Sequence, residues 1–165
     1  MNELDAFQAS LASFTTRLDE VSTDRFNELR KCSFFDLIPS ELLRPISEHT
    51  EIKTFSAGDR LTSEGDDMDV FYVVLFGTAT VYYNGKVVGT IRSGECIGEG
   101  MFFANETLSR SATVIADGQV IAAEVRKTGI DRLHGDAKAY LDKALLLALF
   151  RKLEGANRRI EELLR

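Results

Sequence analysis

The sequence predicts an α+β protein: a double-stranded β-helix, or jelly-roll-like β-roll, flanked by N-terminal helices and a long C-terminal helix. Three observations predict it. Between Glu51 and Arg126, short runs rich in Val, Ile, Thr, Phe and Tyr are separated by Gly, Asp and Asn turns at roughly eight- to twelve-residue spacing, as in all-β sandwiches and barrels. On either side of this region the apolar residues recur at steps of three and four, the helical period. No apolar run, Ala144 to Phe150 included, approaches the length needed to span a bilayer.

Taken in order, residues 3–22 set Leu4, Phe7, Leu11, Phe14, Leu18 and Val21 at alternating spacings, an a/d heptad pattern over fewer than three heptads. Ser22-Thr23-Asp24 interrupts it and offers an N-cap to a second helix near 24–31. Ser40 is placed to cap a short helix striped by Leu42, Leu43 and Ile46, which Pro45 should keep short or irregular. The strand-like runs are EIKTF, RLTSE, VFYVVLF, TATVYY, KVVGTIR, SATVIA and VIAAEV, with Asn84-Gly85 the strongest hairpin signal. A short helix near Gly129–Leu133 precedes a long one from Ala137 to about Leu164, with Asp136 as its expected cap and Gly155 as a weak point costing about 1 kcal/mol relative to Ala. Leu149, Leu153, Ala156, Ile160 and Leu163 give that helix a seam-like pattern. The expected division is 1–32, an N-terminal helical segment suited to oligomerisation; 33–135, the β-roll; and 136–165, the C-terminal helix as lid or dimerisation element.

Composition narrows function. A net charge of −6 argues against a general nucleic-acid binder, whose phosphate affinity comes from clustered Lys and Arg. The N-terminus has no basic-then-apolar signal, so a cytoplasmic location is expected. Cys32 and Cys96 have no paired spacing and only His49 and His134 accompany them, so no metal site is expected and both thiols read as buried and free. Residues 51–126 contain no histidine, which removes the metal cluster of a cupin, and no nucleophile motif points to an enzyme.

The most informative stretch runs from Gly94 to Ala116. Gly98-Glu99-Gly100 is followed by an apolar turn at Met101, Phe102 and Phe103, and then by Arg110 directly ahead of a strand-like run. Flexible glycines, a carboxylate, a short helix start and a lone arginine suit an anionic ligand. Phe102 and Phe103 read as hydrophobic anchors of the short helix, and Asp66-Asp67-Met68-Asp69 as a solvated turn.

Phe55-Ser56-Ala57-Gly58-Asp59, Glu64-Gly65-Asp66 with the Val70–Gly77 strand and turn, Gly94-Glu95-Cys96-Ile97-Gly98-Glu99, and Arg110-Ser111-Ala112-Thr113-Val114 occur in one order. In that order they resemble the cyclic nucleotide-binding domain family across roughly residues 33–134. The resemblance implies a phosphate-binding cassette made of Gly98, Glu99, Gly100, Arg110, Ser111 and Ala112. Arg110 and Ser111 would donate to a cyclic phosphodiester, Glu99 would accept from a ribose 2′-hydroxyl, and Val81 and Val88 would wall the sugar and base. Tyr140 or Leu141 would cap the base. Departures are Gly100 in place of an apolar residue, Ser109 in place of a proline, and a slightly longer loop between Glu99 and Arg110.

The resemblance thus implies a regulatory binding module for a cyclic mononucleotide, cAMP ahead of cGMP, that repositions its C-terminal helix through a hinge near Ile130 and Leu133. Expected partners are a second copy, giving a homodimer through the terminal helices, and an effector protein. Direct DNA binding, a membrane and a cofactor are not expected. The alternative is a ligand-free dimerisation or scaffold domain acting through its helical ends.

Overall fold

The computed structural model describes residues 24–67, 69–102 and 109–165. The heptad stretch 3–22, Met68 and Phe103 lie outside the described residues. Helix α1 (24–30) leads through a 3-10 turn at Ser33–Phe35 to α2 (Ser40–Glu48). Eight strands come next: β1 (Thr50–Phe55), β2 (Arg60–Thr62), β3 (Val70–Phe76), β4 (Thr78–Tyr83), β5 (Lys86–Arg92), β6 (Cys96–Ile97), β7 (Thr113–Ala116) and β8 (Val120–Arg126). A 3-10 helix, Glu99–Phe102, comes after β6, and α3 (Lys127–Ile130) and α4 (Gly135–Leu163) come after β8.

The strands form two four-stranded antiparallel sheets, in the orders β1-β8-β3-β6 and β2-β7-β4-β5. Side chains alternate across each strand, so β3 and β8 serve two cores. Phe71 and Val73 of β3, with Ala123 and Val125 of β8, face the helices, where they meet Leu29, Phe34, Leu43, Ile46, Ile130, Leu133, Leu141 and Leu145. Val70, Tyr72 and Val74, with Val120 and Ala122, face the roll interior and meet Leu61, Ala79, Ile97, Val114 and Ala116. Burial on both faces is why VFYVVLF reads as a continuous apolar run. Each fully buried Phe, Leu or Val contributes roughly 2–3 kcal/mol, so the β3–β8 pair ties the helical layer to the roll.

Asn84 and Gly85 both take positive φ, 48° and 73°, the requirement of a tight primed hairpin turn between β4 and β5. Two expected caps fall elsewhere. Pro39 precedes α2 and Ser40 is its first residue, while His134 precedes α4 and Asp136 sits in its first turn. There the carboxylate still faces the positive end of the helix dipole. Helix α2 runs through Pro45 and ends three residues later, and α4 runs through Gly155 without a break.

Gly77 turns β3 into β4 at φ +90°, and a Cβ there would stand 2.3 Å from the Gln119 backbone oxygen. Gly77→Ala is expected to destabilise the fold by at least about 2 kcal/mol, since neither the φ nor the backbone contact can relax cheaply; urea unfolding measures it. Both cysteines are buried and free. Burial first, and the Glu99 carboxylate second, push the Cys96 thiol up to about 12, and burial also raises Cys32. Both thiols are therefore expected to resist alkylation at neutral pH until the chain unfolds, as mass spectrometry of iodoacetamide-treated protein reads directly.

Candidate functional site

The cassette stretch borders a cavity of about 500 Å3 between the roll and α4, within the range of roughly 300–1,000 Å3 that small-molecule sites occupy. Thr62, Val81, Ile91, Ile97 and Val114 give it an apolar floor with one hydroxyl. Gly98, Glu99 and Gly100 form one rim, Ser109, Arg110, Ser111 and Ala112 another, and Leu149 and Lys152 of α4 cover it.

Arg110 is fixed before its side chain begins. Its N–H donates to the Asp66 carbonyl at 2.7 Å and its carbonyl accepts from the Gly65 N–H at 2.8 Å, so the turn after β2 clamps it. The side chain then turns inward. Nη2 donates to the Val70 carbonyl at 2.6 Å, at the start of β3. Nη1 is buried with no hydrogen-bond partner among the described residues. Gly98 makes the position available: its φ is +86°, and a Cβ there would stand 1.9 Å from Nη1. Burial pushes the Arg110 pKa down, against the pull of Tyr72, Asp69, Asp66 and Glu99. A guanidinium remains protonated in such surroundings, so a buried positive charge with a spare donor stands at the cavity rim.

Glu99 is also buried, 5% exposed, at the start of the 3-10 helix. Its Oε1 accepts from Lys152 Nζ at 2.5 Å, and the same ammonium donates to the Cys96 carbonyl at 2.5 Å. The 3-10 helix is anchored by Phe102, whose ring meets Phe71 edge-on at 4.8 Å, a geometry favourable for aromatic pairs. On the other side, Thr62 Oγ1 donates to the Ala112 carbonyl at 3.2 Å, holding the arginine segment to β2.

Seven of the ten residues named from the sequence line this one cavity: Val81, Gly98, Glu99, Gly100, Arg110, Ser111 and Ala112. Gly100 does not share the constraint of Gly98, since a Cβ there would meet nothing. Three named residues stand elsewhere. Val88 is the extra residue of a bulge: Val81 pairs with Gly89 and Tyr82 with Val87, which turns Val88 outward, 44% exposed. Leu141 is wholly buried in the helical core and Tyr140 lies on the outer side of α4. Helix α4 instead reaches the cavity two to three turns later, with Leu149 and Lys152. Sequence reasoning missed Lys152, and also Thr62, Ile91, Ile97 and Val114 of the floor. Alternation along the strands could have found Ile91, which shares its face with Gly89 and lies two residues beyond it; no spacing rule locates Lys152.

Among the described residues no cluster of His, Cys, Asp or Glu is arranged to hold a metal, and no helix is long and apolar enough to cross a membrane. The model of the cyclic nucleotide-binding domain matches residues 52–136. The chain is 26% identical over 147 residues, 87% of its length, to a cGMP-dependent protein kinase of Plasmodium berghei, of which it spans 17%. It is 34% identical over 91 residues, 54% of its length, to a cAMP-dependent protein kinase regulatory subunit of Eremothecium gossypii, of which it spans 19%. Among solved structures it resembles a cyclic nucleotide-binding domain from Methylobacillus flagellatus, with a TM-score of 0.72, 19% identity and coverage of 87% of this chain and 84% of that one. The fold is shared, and with more than half of its residues matched, the chain belongs to the cyclic nucleotide-binding domain family.

Proposed function

We propose that the cavity binds a cyclic mononucleotide, cAMP ahead of cGMP, and that binding repositions α4. One observation carries this: Arg110, which borders a cavity of ligand size, has a buried, charged nitrogen with no hydrogen-bond partner among the described residues. An unpaired buried charge is costly, and a phosphodiester oxygen would satisfy it with a charge-assisted hydrogen bond. Ser111 and the backbone around Gly98 would add donors to the phosphate, Glu99 would take the ribose hydroxyl, and Val81 would wall the sugar and base. Movement would pass from the 3-10 helix through Phe102 and Phe71 to Ile130 and Leu133, which share one buried cluster with Leu141 and Leu145 of α4.

The same proposal has the chain act in the cytoplasm as a homodimer that signals to an effector protein. Leu146, Phe150, Leu153 and Ile160 are all more than half exposed, and Leu164 is 82% exposed. With Asn157 between Leu153 and Ile160 they form a heptad line centred about a sixth of a turn away from Leu149, which lines the cavity. That line also favours the alternative, a ligand-free dimerisation scaffold, in which the residues at the site are structural.

Calorimetry and thermal melting with cAMP and cGMP separate the two readings. The nucleotide reading expects measurable heat and a raised Tm for the native chain, with cAMP the tighter ligand. It also expects a loss of about 100-fold in affinity for Arg110→Ala, the worth of a charged hydrogen bond of about 3 kcal/mol. No heat and no shift at millimolar nucleotide would leave the scaffold. Leu153→Glu, by placing a charge in the seam, is expected to turn a dimer into a monomer in size-exclusion chromatography with light scattering.

A further inference from the structure

We infer that Lys152 is an internal competitor for the nucleotide site: it occupies the Glu99 carboxylate, and a ligand hydroxyl must displace it, so that entry of ligand and release of the distal half of α4 are one event. The inference deepens the nucleotide reading and rests on it for the ligand's identity.

The two charged groups of the site are in opposite states. Arg110 keeps a nitrogen with no partner among the described residues, while Glu99 is already paired with an ammonium from α4. The pair is no surface ion pair, since the Glu99 side chain is 7% exposed and that of Lys152 is 34% exposed. Such a carboxylate cannot give up its cation without gaining another donor, and a ribose hydroxyl would be that donor. The hydrogen bonds of Lys152 are directed at Glu99 and the Cys96 carbonyl, both on the cassette side, and among the described residues none joins it to the Arg110 side of the cavity.

The same lysine decides how firmly α4 is seated. Up to Leu145 the helix is held by Leu141, Ala144 and Leu145 in the core. Beyond that point, among the described residues, the hydrogen bonds from α4 to the roll come from Lys152 and from Arg159, which donates to the Val88 carbonyl in an exposed position. Loss of the Lys152 contacts leaves the outer turns with the packing of Ala148 and Leu149 and one solvent-facing hydrogen bond, so local opening there becomes easier. A diester captured first by Arg110 would bring its hydroxyl to Glu99, and the exchange at that carboxylate would free the helix.

The test uses the full chain with Lys152→Met, which keeps the stem and removes the charge, and Lys152→Arg, which keeps it. Calorimetry with cAMP is expected to show about tenfold tighter binding for Lys152→Met, from removal of a charge-assisted competitor, and near-native affinity for Lys152→Arg. Hydrogen exchange over residues 146–163 is expected to rise in nucleotide-free Lys152→Met to the level that cAMP produces in the native chain. Weaker or unchanged binding by Lys152→Met would overturn the inference, the first by making Lys152 a ligand contact. Unchanged exchange in the free variant would overturn it as well. A native chain that binds neither nucleotide sinks the nucleotide reading itself, whereas a native chain that binds with Lys152→Met no tighter sinks only the competitor.

Discussion

The burial of β3 on both faces is the constraint on which the rest of the molecule depends. Phe71 and Val73 look into the helical core and Val70, Tyr72 and Val74 into the roll. A strand used this way has no solvent side on which to relax, so its backbone is among the most firmly placed in the fold. The site is built on that strand. The Val70 carbonyl holds Arg110, the Phe71 ring holds Phe102 and the 3-10 helix, and Tyr72 and Val73 pair with Ile97 and Cys96 just ahead of Gly98. The three groups that flank the cavity entrance are thus referred to one segment of chain.

That frame accounts for a charge distribution which would be unstable on a looser scaffold. Tyr72 donates to Glu124 at 3.0 Å, and burial together with that carboxylate pushes its pKa up to about 12. Glu124 is balanced in turn by Arg126 at 2.8 Å. The acidic neighbours of Arg110, Asp66 and Asp69, lie on the exposed turn that clamps its backbone. They favour the guanidinium at longer range without hydrogen-bonding its unpaired nitrogen. Among the described residues, satisfied polar groups below the site and one unsatisfied donor at its rim give the arrangement a direction.

Much of this is legible in the sequence because it is written in local rules. The strand runs, the Asn84-Gly85 turn and the long helix come from periodicity and from backbone preference at positive φ. Arg110, Glu99 and Gly98 stand out because few residue types suit those positions, and the clash of a Cβ at Gly98 with Arg110 supplies the physical reason for one of them. What escapes depends on distance in space. The bulge at Val81 and Tyr82 decides that Val88 turns outward, and no residue announces it. The rotation of α4 against the roll decides that Leu141 is core while Leu149 and Lys152 reach the cavity, and that angle is set by packing against Leu43, Ile46 and Ile130. The seam expected from the sequence runs through Leu149; with Leu149 over the cavity, the exposed line is the one through Leu146, Phe150 and Leu153.

The two faces of α4 bear on how the proposed binding could reach beyond the site. Leu149 and Lys152 look toward the cavity, while Leu146, Phe150, Leu153, Asn157, Ile160 and Leu164 succeed one another along a line open to solvent. A helix with the site on one face and an exposed apolar line on another would couple the two, because a change in how it is seated on the roll also changes how that line is presented. The polar Asn157 within that line favours like against like: in a parallel pair two asparagines meet and satisfy each other, whereas an apolar partner strand would leave the amide unmatched. Glu154 and Glu161 flank the line on one side, and in an antiparallel pair they would face their own kind. In the proposed dimer a parallel pairing would bring Asn157 against Asn157 and keep the glutamates of the two copies apart.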